Sequence, residues 1–194
     1  MKKFELTSEF ITNIFGTKLF RIKALIEFGN VKAGELGGFV EKEENLSQDG
    51  NAWVYDNARV YGDACVCGDA RVCGDAWVYD NARVYGDARV YGNAWVYDNA
   101  RVYGDACVYG DARVCGDACV YGDAGYATVH GFGSEYRTTT FFKTKAGVGV
   151  KCGCFYGNLS EFRKKVVETH GETKKAKEYL MLADLMEFRF SDNS

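Results

Sequence analysis

Between residues 51 and 124 the apolar positions keep a rhythm of six. Alanine stands at Ala52 and at every sixth residue to Ala124, with valine two residues later from Val54 to Val120. Asp or Asn precedes each alanine. Two residues after each valine comes Gly, or Asp at Asp56, Asp80 and Asp98, so the unit reads [DN]-A-x-V-[YC]-[GD]. A period of six does not return to one face of an α-helix, but it suits extended chain, in which alternate side chains share a side. Ala and Val then point one way, and the residue between them and the Tyr or Cys after Val point the other. The [GD]-[DN] pair turns the chain, because Gly, Asn and Asp tolerate left-handed backbone angles. One strand-and-corner unit buries too little to fold alone, whereas stacked units share a continuous core.

This pattern resembles the hexapeptide-repeat left-handed parallel β-helix, in which three hexads make one triangular coil. The resemblance implies a mainly β fold of about four coils over residues 51–124, a prism roughly 20 Å tall at ~4.8 Å per coil. Val40 and Leu46 keep the spacing to Ala52 and predict a degenerate coil before the first.

The flanks lack the rhythm. Residues 1–50, with apolar clusters at Phe4, Leu6, Phe10, Ile11 and Ile14, predict a small β-rich cap. Residues 125–194 predict an α+β cap of two strands, "TTTFFKTK" and "VGVKCGCFYG", and two helices. The first helix starts at Asn158 with Glu161 three residues on, turns Leu159, Phe162 and Val166 to one face, and stops at Gly171. The second turns Ala176, Leu180 and Ala183 inward. Caps of this kind cover coil ends that would otherwise invite strand pairing.

Folding the repeat modulo eighteen sorts the outward residues into ladders. One side stacks Trp53, Arg71, Arg89 and Cys107; the next Arg59, Trp77, Trp95 and Arg113; the third Cys65, Arg83, Arg101 and Cys119. Tyrosine ladders run beside them, among them Tyr61, Tyr79 and Tyr97. Aromatic stacking along the shaft accounts for any one of these residues. As a set, aromatics with Arg are what interfaces and binding sites use, which makes Trp53, Trp77, Trp95, Arg59, Arg71, Arg89, Arg113, Tyr79 and Tyr97 the candidate partner-binding residues. Two partners suit them: a protein chain, identical or foreign, or a nucleotide of the cyclic or ADP-ribose type, with its base on Trp or Tyr and its phosphates on Arg.

Charge narrows the classes. Residues 51–124 carry eleven Asp against six Arg, hence −5, and residues 125–194 carry eleven Lys or Arg against eight Asp or Glu, hence +3. This balance does not fit duplex nucleic acid, and it is too weakly acidic for a DNA mimic. The eight cysteines have no disulfide-framework spacing; six occupy variable outward repeat positions, which points to a reducing cytoplasm. Cys152 and Cys154, placed by alternation on one side of a strand, are weak zinc candidates. No signal peptide or membrane-length apolar run is expected, and no cofactor.

Proteins with this repeat are best known as trimeric acyltransferases, whose catalytic histidine lies between subunits. This chain has only His130 and His170, and no loop interrupts the hexads, so His130 is the sole candidate base. Related carbonic anhydrases need three histidines on zinc, and ice-binding helices of this type need outward Thr ladders; neither is present. The opening "LFRIKAL" and "GNVKAGELGGFVEKEENLS", with the closing "TTTFFKTK", "VKCGCFYGNLSEF" and "VVETHG", resembles proteins encoded by phages and prophages of gut bacteria. That resemblance implies a genomic context and not a chemistry; small phage proteins without catalytic residues are often inhibitors of bacterial antiviral defence that hold a defence protein or sequester a nucleotide signal, and that is the role expected here. A non-enzymatic binding protein is therefore expected, and an oligomeric one because its aromatic outer surface is larger than a monomer normally exposes. Acyl transfer and a self-assembling scaffold are the alternatives.

Overall fold

A computed structural model describes residues 2–122, 125–133, 135 and 137–191; Ala124 of the repeat lies outside the described residues. The N-terminal segment forms β1 (Phe4–Thr12), β2 (Lys18–Ala24) and β3 (Leu36–Val40). The hexads follow as twelve short strands: β4 (Trp53–Val54), β5 (Arg59–Val60), β6 (Cys65–Val66), β7 (Arg71–Val72), β8 (Trp77–Val78), β9 (Arg83–Val84), β10 (Arg89–Val90), β11 (Trp95–Val96), β12 (Arg101–Tyr103), β13 (Cys107–Val108), β14 (Arg113–Val114) and β15 (Cys119–Tyr121). Residues eighteen apart pair in parallel, as Trp77 with Trp95 and Val78 with Val96, so three sheets enclose a prism. Face A holds β3, β5, β8, β11 and β14; face B holds β4, β7, β10 and β13; face C holds β6, β9, β12 and β15. Every repeat alanine and valine in the described chain is buried.

The corners explain the third letter of the turn. Asp56, Asp80 and Asp98 adopt φ of 54°, 58° and 58°, the left-handed region that glycine occupies in the other hexads. Two of these carboxylates use the position: Asp56 Oδ2 accepts from the Gly74 N–H at 3.1 Å, and Asp98 Oδ2 from the Gly116 N–H at 2.9 Å, each one coil higher.

There are five coils rather than four, as the five stacked strands of face A show. Val40 pairs with Val60 and Leu46 with Val66, so both sit in the valine register and not, as their spacing to Ala52 suggested, in the alanine register. The side from Leu46 to Val54 takes up the difference with two extra residues.

Both ends are capped by groups that replace the missing neighbour coil. At the lower end β1 and β2 extend face A, and Phe4, Ile22, Ala24 and Val31 close the core. On higher coils the alanine carbonyl accepts from the coil below, as Ala70 does from Trp53. The Ala52 carbonyl has no coil below it and accepts from the buried Lys3 ammonium at 3.1 Å. At the upper end the Tyr109 and Arg113 N–H groups have no coil above, and they donate to Tyr126 Oη at 3.2 Å and Thr140 Oγ1 at 3.1 Å.

The C-terminal cap has four strands where two were predicted: β16 (Tyr126–Val129), β17 (Thr139–Thr144), β18 (Gly147–Cys152) and β19 (Phe155–Asn158) form one antiparallel sheet. The stretch "VGVKCGCFYG" is a hairpin and not one strand, because Gly153 takes φ of 55° and reverses the chain. Helices α1 (Leu159–His170) and α2 (Lys174–Phe190) pack on that sheet. The Asn158 side chain accepts from the Glu161 N–H, and the Glu161 carboxylate accepts from the Asn158 N–H, both at 2.9 Å, which is the predicted capping box. Leu159, Phe162 and Val166 are buried as expected; on α2, Ala176 and Ala183 are buried while Leu180 is only half-buried, the face being carried by Tyr179, Leu182 and Met186. Among the described residues no helix is long and apolar enough to cross a membrane.

Candidate functional site

Face A carries the most ordered outer surface. The coil register sets Arg59, Trp77, Trp95 and Arg113 one above another. The Trp77 and Trp95 indoles stack with centroids 5.1 Å apart and planes 13° from parallel. The Arg59 guanidinium lies 4.7 Å from the Trp77 centroid, and that of Arg113 lies 4.9 Å from the Trp95 centroid. Beside this column Tyr61, Tyr79 and Tyr97 stack at 5.0 Å, with planes within 4° of parallel, and Tyr61 and Tyr79 meet Trp77 and Trp95 in T-shaped contacts.

Each indole therefore has both faces covered, one by the other indole and one by an arginine. The sequence reading had a base lying over an exposed ring of this side; the stack leaves it only ring edges. Arg59 is also less available than expected, since its partner one coil below is Phe39 and its Nε is buried without a hydrogen-bond partner. Its guanidinium lies over the Trp77 ring.

The stack continues below the predicted set. The Arg21 guanidinium lies 4.3 Å from the Phe39 centroid, and Leu19, Phe39 and Tyr61 form a small buried cluster packed by Ile11, Trp77 and Tyr79. The signal for Phe39 was present, because it precedes Val40 as each outward residue precedes its valine. Arg21 reaches it only through the pairing of β2 with β3.

Burial sets the chemistry of the tyrosines. Desolvation pushes the Tyr61 phenol up to about 12, and those of Tyr79 and Tyr97 higher, so all three resist ionisation beyond the ordinary tyrosine range. Cys115 continues this column upward and is buried rather than outward.

The other candidates are dispersed. Trp53 is fully buried, wedged edge-on between Phe4 and Phe28 at 6.2 and 5.3 Å, because the N-terminal segment folds over its side of the lowest coil; it offers nothing to a partner. Arg71 and Arg89 stack on face B, away from the tryptophan pair. The His130 ring is exposed, with Nδ1 3.2 Å from Thr138 Oγ1, a hydroxyl and not the carboxylate that orients a catalytic imidazole. His170 stacks on Tyr179 at the end of α1. The hairpin turn separates the Cys152 and Cys154 pair: Cys152 Sγ accepts from the Thr139 hydroxyl at 3.2 Å, whereas Cys154 is exposed. None of the eight cysteines is in a disulfide, and among the described residues no three His, Cys, Asp or Glu side chains converge as a metal set.

The family model for the YdcK Beta solenoid repeat matches residues 52–68, 82–98 and 94–110. The chain is 40% identical over 63 residues to the uncharacterized acetyltransferase YdcK of Escherichia coli (strain K12); the match takes in 29% of this chain and spans 19% of that protein's length. The likeness thus concerns the repeat. Hexad, corner and eighteen-residue register together give this chain a hexapeptide-repeat-like β-helix, similar over the matched coils to the YdcK β-solenoid repeat.

Proposed function

We propose that the chain is a non-enzymatic binding protein that holds a protein partner against face A, beginning with a second copy of itself. The observation that carries this reading is the closed stack of Arg59, Trp77, Trp95 and Arg113 with its tyrosine column. Side chains already ordered by one another lose little entropy on association, and Trp, Tyr and Arg are the residues that anchor interfaces. The same closure disfavours reading a base by stacking. The finer reading is an inhibitor of bacterial antiviral defence. It is supported by the resemblance of both flanks to phage-encoded proteins, and of its two modes the stack favours holding a defence protein.

Light scattering at high micromolar concentration is expected to give a multiple of the 21.6 kDa chain mass, with the exposed edges of Trp77 and Trp95 protected from oxidative footprinting in the associated species. A single-chain mass, or footprints identical in dilute and concentrated samples, would count against self-association on this face.

Acetyl transfer is the second reading, favoured by the name of the Escherichia coli relative. It would rest on His130. The expected result is no turnover of acetyl-coenzyme A; turnover by the wild type that vanishes in His130→Ala would reverse the ranking.

A further inference from the structure

The upper end of face A meets the C-terminal cap at a cavity of about 450 Å³, lined by Asp111, Arg113, Arg137, Thr138, Lys151 and Cys154, with Gly153 in its wall. Its three cations come from three segments. Arg113 is on the top coil, Arg137 precedes β17 and Lys151 is on β18. They are far apart in sequence and converge only because the cap docks on this end of the prism.

The two arginines are positioned by their surroundings. Arg113 is braced against the Trp95 ring at 4.9 Å. Arg137 lies along Gly153: a Cβ there would come within 2.6 Å of its Nη1, and the residue's φ of 55° also favours glycine. The nearest carboxylate to Arg137 is the exposed Glu135, at 4.0 Å. Among the described residues neither Arg113 nor Lys151 forms an ion pair. The one acid in the lining, Asp111, already accepts a hydrogen bond from Asn93 Nδ2 at 3.2 Å. The cavity therefore has an excess of positive charge, two forked guanidinium donors and a hydroxyl, in a volume suited to a small ligand.

We propose that this cavity is an anion site for the phosphates of a small phosphorylated ligand. Arg113 and Arg137 supply paired N–H donors from two sides, Lys151 supplies a point charge, and Thr138 supplies a hydroxyl. The site shares Arg113 with the face A stack but takes Arg137, Thr138 and Lys151 from the cap, so substitutions of the cap residues test it apart from the protein-binding reading.

Calorimetry with inorganic pyrophosphate and with adenosine diphosphate tests it. Pyrophosphate is expected to bind, with affinity falling as salt rises, and Arg137→Ala and Lys151→Ala are each expected to weaken it about tenfold. Arg83→Ala, on face C, should leave the affinity unchanged. Both cap residues are at least partly exposed, so circular dichroism should confirm that the variants fold. Diphosphate binding as tight as pyrophosphate would identify a nucleotide's phosphates, and pyrophosphate alone a free anion. No heat from either ligand, or affinity unaffected by both cap substitutions, overturns the proposal. Loss of anion binding with self-association intact would leave the protein-binding reading standing.

Discussion

Taking the protein from about pH 10 upward is expected to lower its stability steadily. Burial raises the phenols of Tyr61, Tyr79, Tyr97 and Tyr126, to about 12 for Tyr61 and higher for the others. In the unfolded chain a tyrosine ionises near its usual value of about 10. Above that value the unfolded state has released protons that the folded state still holds, so stability is fully present below pH 10 and is lost as pH climbs toward the folded values. At about pH 11 each such phenol costs at most about 1.4 kcal/mol, less for the half-buried Tyr79 and Tyr97, and a gain from Lys3 offsets part of the total. Lys3 acts in the opposite sense over a lower window. Its burial lowers the ammonium to about 8 from the usual 10.5, so between those values the folded state binds fewer protons than the unfolded, and stability rises with pH. The expected profile climbs above pH 8 and turns downward above pH 10, where the phenols outnumber the single ammonium. Denaturant titrations across this range check it, with tyrosinate absorbance as a second probe. The absorbance should appear in the same step as the loss of β signal. Tyrosinate forming at the ordinary midpoint with the β signal untouched would mean that these phenols are accessible in the folded protein.

Trp77→Ala is expected to destabilise the prism by about 2–3 kcal/mol, whereas Arg59→Ala should cost about 0.5–1 kcal/mol. Trp77 is half-buried, below the cost of a fully buried tryptophan, but its loss removes the Trp95 stack, the Arg59 cation–π contact and the edge contact with Tyr61 at once. It would also uncover one face of Trp95. Chemical denaturation of the two variants beside wild type measures the difference. Equal and negligible effects would show that the column is ornament on a core that stands without it. Stacked repeats couple mainly to their neighbours, so the loss should be felt first in the adjacent coils, as faster amide exchange around Val60, Val78 and Val96.

The register of the outer ladders was legible in advance because the repeat has no insertions: with eighteen residues per coil, Arg59, Trp77, Trp95 and Arg113 could align in one way only. The helix caps were legible for a similar reason, since Asn158 and Glu161 act through local backbone geometry. The expectation that Val40 and Leu46 would keep the alanine register failed because a spacing of six does not reveal two extra residues on the next side of the coil. The two-strand reading of the cap failed at Gly153, where one left-handed glycine turned an apparent strand into a hairpin and parted Cys152 from Cys154.

By itself the sequence determined the prism. Ala and Val at fixed spacing can be buried only on the inside of a stacked coil, and Gly or Asp at the corner allows the chain to turn there. Availability was decided by tertiary structure, because it depends on what packs against a side chain from elsewhere. Trp53 and Trp77 occupy the same position in the hexad, yet the N-terminal segment buries one under Phe4 and Phe28, and the other meets solvent along an edge. Arg113 and Arg59 are likewise equivalent in the repeat. Docking of the cap brings Arg137 and Lys151 to the first, and β3 places Phe39 beneath the second.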